Sequence, residues 1–138
     1  PVNSRSRRRD VPFGETKYSK VKGRGGSHFK ILNQMRSKVA LEGKIPICYS
    51  MTPFLIYRPF EIIRNYLERD QIPVKLCGAG RGKDYDWLGW SHWATDDRDH
   101  MSGFKNIVKL WPDDAKHTEE LFHEIIYDKR PYYVNLSR

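Results

Sequence analysis

Residues 104–136 read FKNIVKLWPDDAKHTEELFHEIIYDKRPYYVNL, a predicted strand, helix and strand in succession. Side chains alternate along 104–111, with Phe104 and Val108 in one set and Ile107 in the other, which is the pattern of a strand. Pro131 ends the intervening helix, because proline cannot continue one. The apolar run at 132–136 is then the last predicted strand.

The helix of this unit has both a start signal and a buried face. Pro112-Asp113-Asp114 is predicted to begin it, since acidic side chains are favoured at the positive end of the helix dipole. Its buried stripe, spaced at three and four residues, is predicted to be Leu121, Phe122, Ile125 and Ile126.

Upstream of this unit, periodicity and breaker residues predict further strands and helices. Ser27 is a good N-cap, and Gly43 ends the helix that follows it. Pro59 divides the next helical region into a turn or short helix and a longer helix. The predicted elements are a helix over 27–43, a strand over 44–50, a turn or short helix at 53–57, a helix from 59 to about 70 and a strand over 73–77.

Residues 78–103 show no clean period and are rich in Gly, Asp and Trp, so they are predicted to form a long, functional loop. The whole pattern predicts an α+β or α/β fold, with a small sheet of about four strands packed with about three helices. Residues 27–138 are the predicted single domain. A basic, flexible N-terminal arm at 1–26 precedes it, because that segment has no apolar periodicity.

The net charge of the chain lies in its first quarter. Residues 1–36 hold ten Lys and Arg against two acids, whereas 37–138 hold fifteen of each kind. A cationic arm on a neutral body favours contact with a polyanion, and arginine forks suit phosphate well. The predicted phosphate contacts of the arm are Arg7, Arg8, Arg9, Lys20, Lys22 and Arg24. The alternative is a solvated tail or a targeting signal.

Two features of the 78–103 loop are further candidates for binding. Glycines beside Arg81 and Lys83 favour an anion-binding turn, against the alternative of a flexible turn after a strand. Three tryptophans follow within seven residues, and Trp87 and Trp90 are the predicted stacking rings for bases. The alternative for these rings is a place in the core.

An acidic run ending in a histidine is the candidate for catalysis. Asp97 and Asp99 are the predicted metal ligands, and His100 is the predicted general base. The series Asp99-His100…Asn106…His117 resembles the ββα-metal (HNH-like) nucleases, and residues 97–101 resemble the Asp-Arg-Gly-His motif of their non-specific branch, with Asp99 in place of glycine. This resemblance implies Mg²⁺ or Mn²⁺. The alternative is an acidic loop that only caps the next element.

The leading functional prediction is therefore a nucleic-acid-binding protein, RNA- or DNA-binding, and a subunit of a nucleoprotein assembly. The alternatives are a metal-dependent nuclease or phosphodiesterase, and a protein-interaction factor that docks through its Trp-rich loop. Outside the nuclease alternative no cofactor is expected. No apolar run is long enough to cross a membrane. Cys48 and Cys77 follow apolar runs and are predicted to be buried thiols, which favours an intracellular, reducing compartment, cytoplasmic or reached by organellar import.

Overall fold

The computed structural model describes residues 43–138. In chain order the elements are β1 Ile47–Met51, α1 Thr52–Ile56, α2 Phe60–Ile62 with a π-helical continuation Ile63–Arg69, β2 Lys75–Ala79, two 3₁₀ turns Asp86–Leu88 and Trp90–His92, α3 Asp97–Ser102, β3 Val108–Leu110, α4 Ala115–Ile125 and β4 Tyr132–Leu136. The predicted arm at 1–26, its six phosphate contacts and nearly all of the helix predicted over 27–43 lie outside the described residues.

The four strands form one parallel sheet in the order β1-β2-β4-β3. The register places Cys77 of β2 beside Tyr49 of β1 and Val134 of β4. A parallel sheet needs a crossover between each pair of consecutive strands, and the helices supply these crossovers. The prediction of a small four-stranded fold of mixed α and β structure is thus confirmed. Residues 43–138 contain four helices, whereas one of the about three predicted helices, over 27–43, lies outside the described residues.

Helices cover both faces of the sheet. Successive residues of a strand point to opposite faces, so Tyr133 packs into the cluster formed with α1, α2 and Met101 of α3. Its neighbours Tyr132 and Val134 pack against Ile125 and Phe122 of α4 on the other face. Burial of an aliphatic or aromatic side chain contributes about 1.5–3 kcal/mol, so these two clusters are the main source of stability.

Helix α4 begins at Ala115, directly after the predicted start Pro112-Asp113-Asp114, because Asp114 is its N-cap. The Asp114 backbone is extended, and its Oδ1 accepts a hydrogen bond from the His117 N–H at 2.7 Å. An N-cap side chain satisfies one of the N–H groups that a helix start leaves unpaired. The predicted buried residue Ile125 is 2% exposed, and Leu121 and Phe122 are half-buried.

Several predicted segments differ from the structure in extent. Strands β1 and β2 begin and end later than the predicted strands 44–50 and 73–77, and α4 ends at Ile125 and not at Pro131. The strand predicted over 104–111 is confined to 108–110, because the Glu68 carboxylate draws the N–H groups of Lys105 and Asn106 away from the sheet, each at 2.9 Å. The loop predicted over 78–103 contains the end of β2, both 3₁₀ turns and the whole of α3, so its irregular part is shorter than its composition indicates.

Cys48 and Cys77 are buried thiols, as predicted. Burial raises the pKa of the Cys77 thiol to about 12 and raises the pKa of Cys48 as well, so both stay protonated at neutral pH. Within 43–138, none of the helices is both long and apolar enough to cross a bilayer.

Candidate functional site

All four strands end at the same edge of the sheet, because they are parallel. Ligands of open α/β sheets bind outside this carboxyl edge. Here it is formed by Thr52 after β1, by the glycine-rich turn at 80–82 after β2, by Trp111 after β3 and by Asn135 near the end of β4. We therefore take this edge as the candidate site.

Asp97 is the hub of the edge. Its side chain is buried, with 3% exposure, and its Oδ2 accepts three hydrogen bonds. The donors are Asn135 Nδ2 at 2.6 Å, Trp111 Nε1 at 2.7 Å and the Tyr133 hydroxyl at 2.8 Å. Burial raises the pKa of Tyr133, and the adjacent Asp97 raises it further, so the hydroxyl keeps its proton and remains a donor.

Thr52 and Asn135 extend this network to the first two strands. The Thr52 hydroxyl donates to the Gly80 carbonyl at 2.8 Å and lies 3.4 Å from Asn135 Oδ1. The close approach depends on Gly78, since a Cβ there would lie 2.5 Å from Thr52 Oγ1. Hydrogen bonds between side chains thus connect the edge from β1 to β3, and such contacts rigidify a fold.

The glycine-rich turn already binds a carboxylate of this chain. Gly80 has a φ of +91°, and any Cβ there would meet the Tyr85 ring at 2.5 Å. Asp84 Oδ2 accepts from the backbone N–H groups of Arg81 and Arg138, each at 2.9 Å. The Arg81 N–H, one of the backbone groups of the predicted anion-binding turn, is therefore bound to the Asp84 carboxylate.

The two predicted cations of this turn have separate contacts. The Arg81 Nη2 donates to the carbonyls of Pro112 and Asn135, each at 2.8 Å, which joins the turn to β3 and β4. Lys83 is exposed, and its Nζ lies 4.1 Å from the centroid of the Trp93 ring. Arg81 is thus a structural tie at the carboxyl edge.

The predicted stacking rings Trp87 and Trp90 are exposed, with 64% and 71% exposure. Trp87 packs edge-on against Tyr85 at 5.5 Å and Trp90 against Trp93 at 5.7 Å. Neither Trp87 nor Trp90 lies in the core, which was the alternative from their spacing.

The structure separates the three predicted catalytic residues. Asp97 is buried in the hub, Asp99 is exposed, and the His100 ring packs 4.5 Å from the ring of Tyr57 and 4.8 Å from that of Phe60. Burial lowers the pKa of His100 from 6.5, with Asp96 acting in the opposite direction. Asp96 itself accepts a 2.5 Å hydrogen bond from the Tyr57 hydroxyl.

These residues therefore do not form a metal centre together. Within 43–138 there is no group of three or more His, Cys, Asp or Glu side chains that could hold a metal ion. The four residues that the sequence reasoning missed are Thr52, Trp111, Tyr133 and Asn135. Asn135 had a signal, since it is a polar residue in the apolar run 132–136. Trp111 and Tyr133 look like ordinary core aromatics in the sequence.

Comparison with known proteins relates the chain to transketolases. It is 32% identical over 104 residues to a putative transketolase C-terminal section from Methanocaldococcus jannaschii, covering 75% of this chain and 33% of that protein. It is 31% identical over 99 residues to one of the subunits of apulose-4-phosphate transketolase from Actinobacillus succinogenes, covering 72% and 32%. The chain thus spans about a third of the length of these relatives. No protein-family model matches it.

A solved structure leads to the same group of proteins. A split-gene transketolase, described as an inactive beta4 tetramer, matches with a TM-score of 0.66 and 28% identity over 79% of this chain and 34% of the solved one. These similarities overturn the predictions of a nucleic-acid-binding protein, of a nuclease and of a nucleic-acid partner, which are wrong. Two of the relatives are described as a section and a subunit of a transketolase, and the solved one as a tetramer. The prediction of nucleic-acid chemistry depended on the basic arm and the acidic run, which are local patterns of charge and carry no information about the fold. Similarity over about three quarters of the chain is stronger evidence than these patterns.

Proposed function

We propose that this chain is one section of a transketolase-like enzyme, acting together with further polypeptide. The observation that carries the proposal is that both sequence and fold agree over about three quarters of the chain, at 32% identity with one relative and a TM-score of 0.66 with another. The chain matches only about a third of each relative, so the remaining parts of such an enzyme must come from other residues or another subunit.

In this proposal the carboxyl edge is a rigid wall of the assembled site. Its side chains already hydrogen-bond one another around Asp97 and Asn135, while Arg81 Nε in the same wall is buried and has no partner within residues 43–138. A preorganised wall needs no reordering when a second section meets it, and positioning of this kind accounts for a large share of enzymatic rate enhancement.

Transketolases are associated with thiamine diphosphate, so the donor set of this chain can be compared with what that group needs. A diphosphate held through a divalent cation requires several oxygen ligands. Among residues 43–138 no cluster of carboxylates or histidines offers them, and the Arg81 N–H of the glycine-rich turn is bound to Asp84. The described residues do not fit a complete cofactor site, so we derive no step through the cofactor.

The test is a turnover assay of the full chain mixed with a complementary N-terminal transketolase section, thiamine diphosphate and Mg²⁺. Ketol transfer, the reaction that the word transketolase names, is followed with apulose 4-phosphate and other ketose phosphates as donors. We expect turnover only when both polypeptides are present. No turnover with any complementary section, while both proteins are folded by circular dichroism, would contradict the proposal.

A matched pair of asparagine variants assigns the effect to the carboxyl edge. Asn135→Ala removes a carboxamide that binds Asp97 and lies near Thr52, whereas Asn65→Ala removes one from the π-helical segment, where its partner is Arg64. We expect about a tenfold or larger loss for Asn135→Ala, the effect of roughly 1.4 kcal/mol on a barrier. Asn65→Ala should stay within about twofold. Equal losses of turnover in the two variants would mean that the carboxyl edge is not part of the assembled site.

We also propose that the protein is in an intracellular, reducing compartment. Cys48 and Cys77 as buried thiols agree with an intracellular, reducing environment.

A further inference from the structure

The ring of His100 lies in an aromatic niche, which we define as the space between the rings of Tyr57 and Phe60. The ring centroids are 4.5 Å apart for His100 and Tyr57 and 4.8 Å apart for His100 and Phe60. His100 Nε2 is buried there and has no hydrogen-bond partner within residues 43–138. Buried polar atoms are hydrogen-bonded as a rule, so this nitrogen is an exception with a physical consequence.

The niche suits a neutral imidazole and not a charged one. A neutral ring carries its proton on one nitrogen, whereas the charged ring carries a proton on both. With the proton on Nδ1, the neutral ring of His100 leaves only a lone pair unpaired at Nε2. The charged ring would place a second N–H at this buried position, and burial of a charge without a partner costs more free energy than burial of a neutral polar group.

The two helices packed against the imidazole bring no charge into the niche. The end of α1 contributes the phenol of Tyr57, and burial raises the pKa of that phenol, so it stays neutral. The start of α2 contributes the uncharged ring of Phe60. Of the charged residues beside them, Arg58 lies 4.2 Å from the centroid of the Phe54 ring, and Glu61 is exposed.

The charge that acts on the imidazole comes from its own helix. Asp96 is the N-cap residue of α3, and its Oδ1 accepts a hydrogen bond from the Tyr57 hydroxyl at 2.5 Å. Burial lowers the pKa of His100 from 6.5, and the attraction of Asp96 opposes this effect without cancelling it. Burial in the niche is therefore the stronger of the two influences.

The niche is also one of the attachments of α3 to the rest of the protein. This helix has only six residues, Asp97–Ser102, and a helix of that length is not stable by itself. Three consecutive turns of contact hold it: Asp97 binds Asn135, His100 fills the niche, and Met101 packs in the larger core cluster. Because the three anchors share one short helix, a displacement of His100 also moves Asp97.

We propose that His100 is a pH-sensitive latch for α3. The neutral ring holds α3 against α1 and α2, whereas protonation withdraws the ring from the niche and opens the hydrogen bonds of Asp97 at the carboxyl edge. The latch goes beyond the proposed function, because it depends on contacts within this chain and not on the reaction.

The direction of the pH effect follows from the two states of the ring. In the open state the imidazole is in water and has its ordinary pKa of 6.5, whereas burial lowers the pKa of His100 in the closed state. Between the two pKa values the open state binds more protons. The equilibrium constant for opening of α3 therefore rises by up to about tenfold for each pH unit of acidification below 6.5.

The experiment measures hydrogen exchange of the Trp111 indole N–H, which donates to Asp97 Oδ2. Exchange is followed by NMR on the full chain between about pH 7.5 and about pH 5, and is expressed as a protection factor, which removes the direct effect of pH on exchange. We expect the protection factor of the wild type to fall by up to about tenfold per pH unit below 6.5.

A matched pair of histidine variants assigns the effect to the niche. His100→Phe keeps an aromatic ring without a titratable nitrogen, and its protection factor should change by less than about twofold over the same range. His123→Phe replaces an exposed histidine of α4 and should behave as wild type. A fall that persists in His100→Phe would mean that another group, such as the Asp97 carboxylate, titrates, and it would overturn the inference. A constant protection factor in the wild type would do the same.

Two further measurements keep the test independent of how well His100→Phe folds. Tyr57→Phe removes only the hydroxyl that binds Asp96, so we expect lower protection at every pH with the wild-type pH dependence. Loss of the pH dependence in folded Tyr57→Phe would assign the latch to that hydroxyl and not to the imidazole. The NMR titration of the His100 ring in the wild type should give a pKa below 6.5, and a value of 6.5 or higher would contradict the inference.

Discussion

The two charged side chains buried within residues 43–138 lie at opposite ends of the sheet and are stabilised in different ways. Lys75 begins β2, and its Nζ donates to the backbone carbonyls of Asp128 and Arg130, each at 2.6 Å. Asp97 lies at the carboxyl edge and accepts only from side chains, which belong to β4 and the end of β3. Neither contact is an ion pair.

This difference separates a role in folding from a role in shaping a site. Backbone carbonyls are present whatever the sequence, so the contacts of Lys75 need only the loop before β4. The contacts of Asp97 need three particular side chains, which makes the carboxyl edge the more strongly specified end. Losing one partner at the Asp97 end should also cost more free energy of unfolding than at the Lys75 end. Each buried polar group that is left without a partner keeps its desolvation penalty.

Asp97→Ala gives the largest expected effect at this edge. It leaves Trp111, Tyr133 and Asn135 without their shared acceptor, and an unsatisfied buried donor costs about 1–3 kcal/mol. We expect the free energy of unfolding to fall by about 3 kcal/mol in urea titrations, because up to three neutral donors lose their acceptor at once.

Two aspartate variants serve as the comparison for Asp97→Ala. Asp97→Asn keeps an oxygen acceptor and should lose less than the alanine variant. Asp99→Ala removes an exposed carboxylate two residues away and should change the unfolding free energy by about 0.5 kcal/mol or less. A loss of less than about 1 kcal/mol for Asp97→Ala would mean that water replaces the carboxylate and that the edge is not a specified network.

Gly78→Ala tests the same edge through sterics. The new Cβ would lie 2.5 Å from Thr52 Oγ1, so Thr52 must move away from the Gly80 carbonyl. Overpacking of this kind costs about 1–3 kcal/mol, measured as the loss of unfolding free energy. Gly103→Ala is the control, since its Cβ would meet nothing within 4 Å and its φ is −69°.

A double-mutant cycle shows whether Thr52 is the residue that Gly78 makes room for. In a Thr52→Ala background most of the clash is removed, and the cost of Gly78→Ala should shrink accordingly. Additive losses in this cycle would place the strain elsewhere.

The sequence predicted the sheet better than the site, and particular residues explain why. Strand β4 has the predicted bounds at 132–136, because Pro131 and a run of buried residues define it locally. The parallel strand order depends on contacts far apart in sequence, and no local pattern contains it. The sequence does not distinguish the three aspartates of the acidic run 96–99. The structure shows that α3 brings Asp97 within hydrogen-bond distance of Asn135. Trp87 and Trp90 share a spacing that suits both core and surface, so exposure had to come from the structure.

Lys75→Met, with the smallest expected effect, returns to the amino end of the sheet. Burial lowers the pKa of Lys75 from 10.5 to about 8, against the opposing effect of Asp128. Below pH 8 both the folded and the unfolded state carry the proton, and the burial cost of the charge is fully present. Between about pH 8 and 10.5 the unfolded state binds more protons than the folded state, so this group makes the protein more stable as pH rises.

The measurement is therefore the difference in unfolding free energy between wild type and Lys75→Met at pH 7 and at pH 9.5. The neutral amine still has two N–H donors for its two carbonyls, so we expect the stability of wild type relative to the variant to increase with pH. Lys105→Met, at an exposed position, should show no such trend. Tyrosine and thiol ionisation in the unfolded state is common to wild type and variant and cancels in the difference. A difference that is the same at both pH values would mean that Lys75 is solvated in the folded protein, and the two ends of the sheet would then not both hold a buried charge.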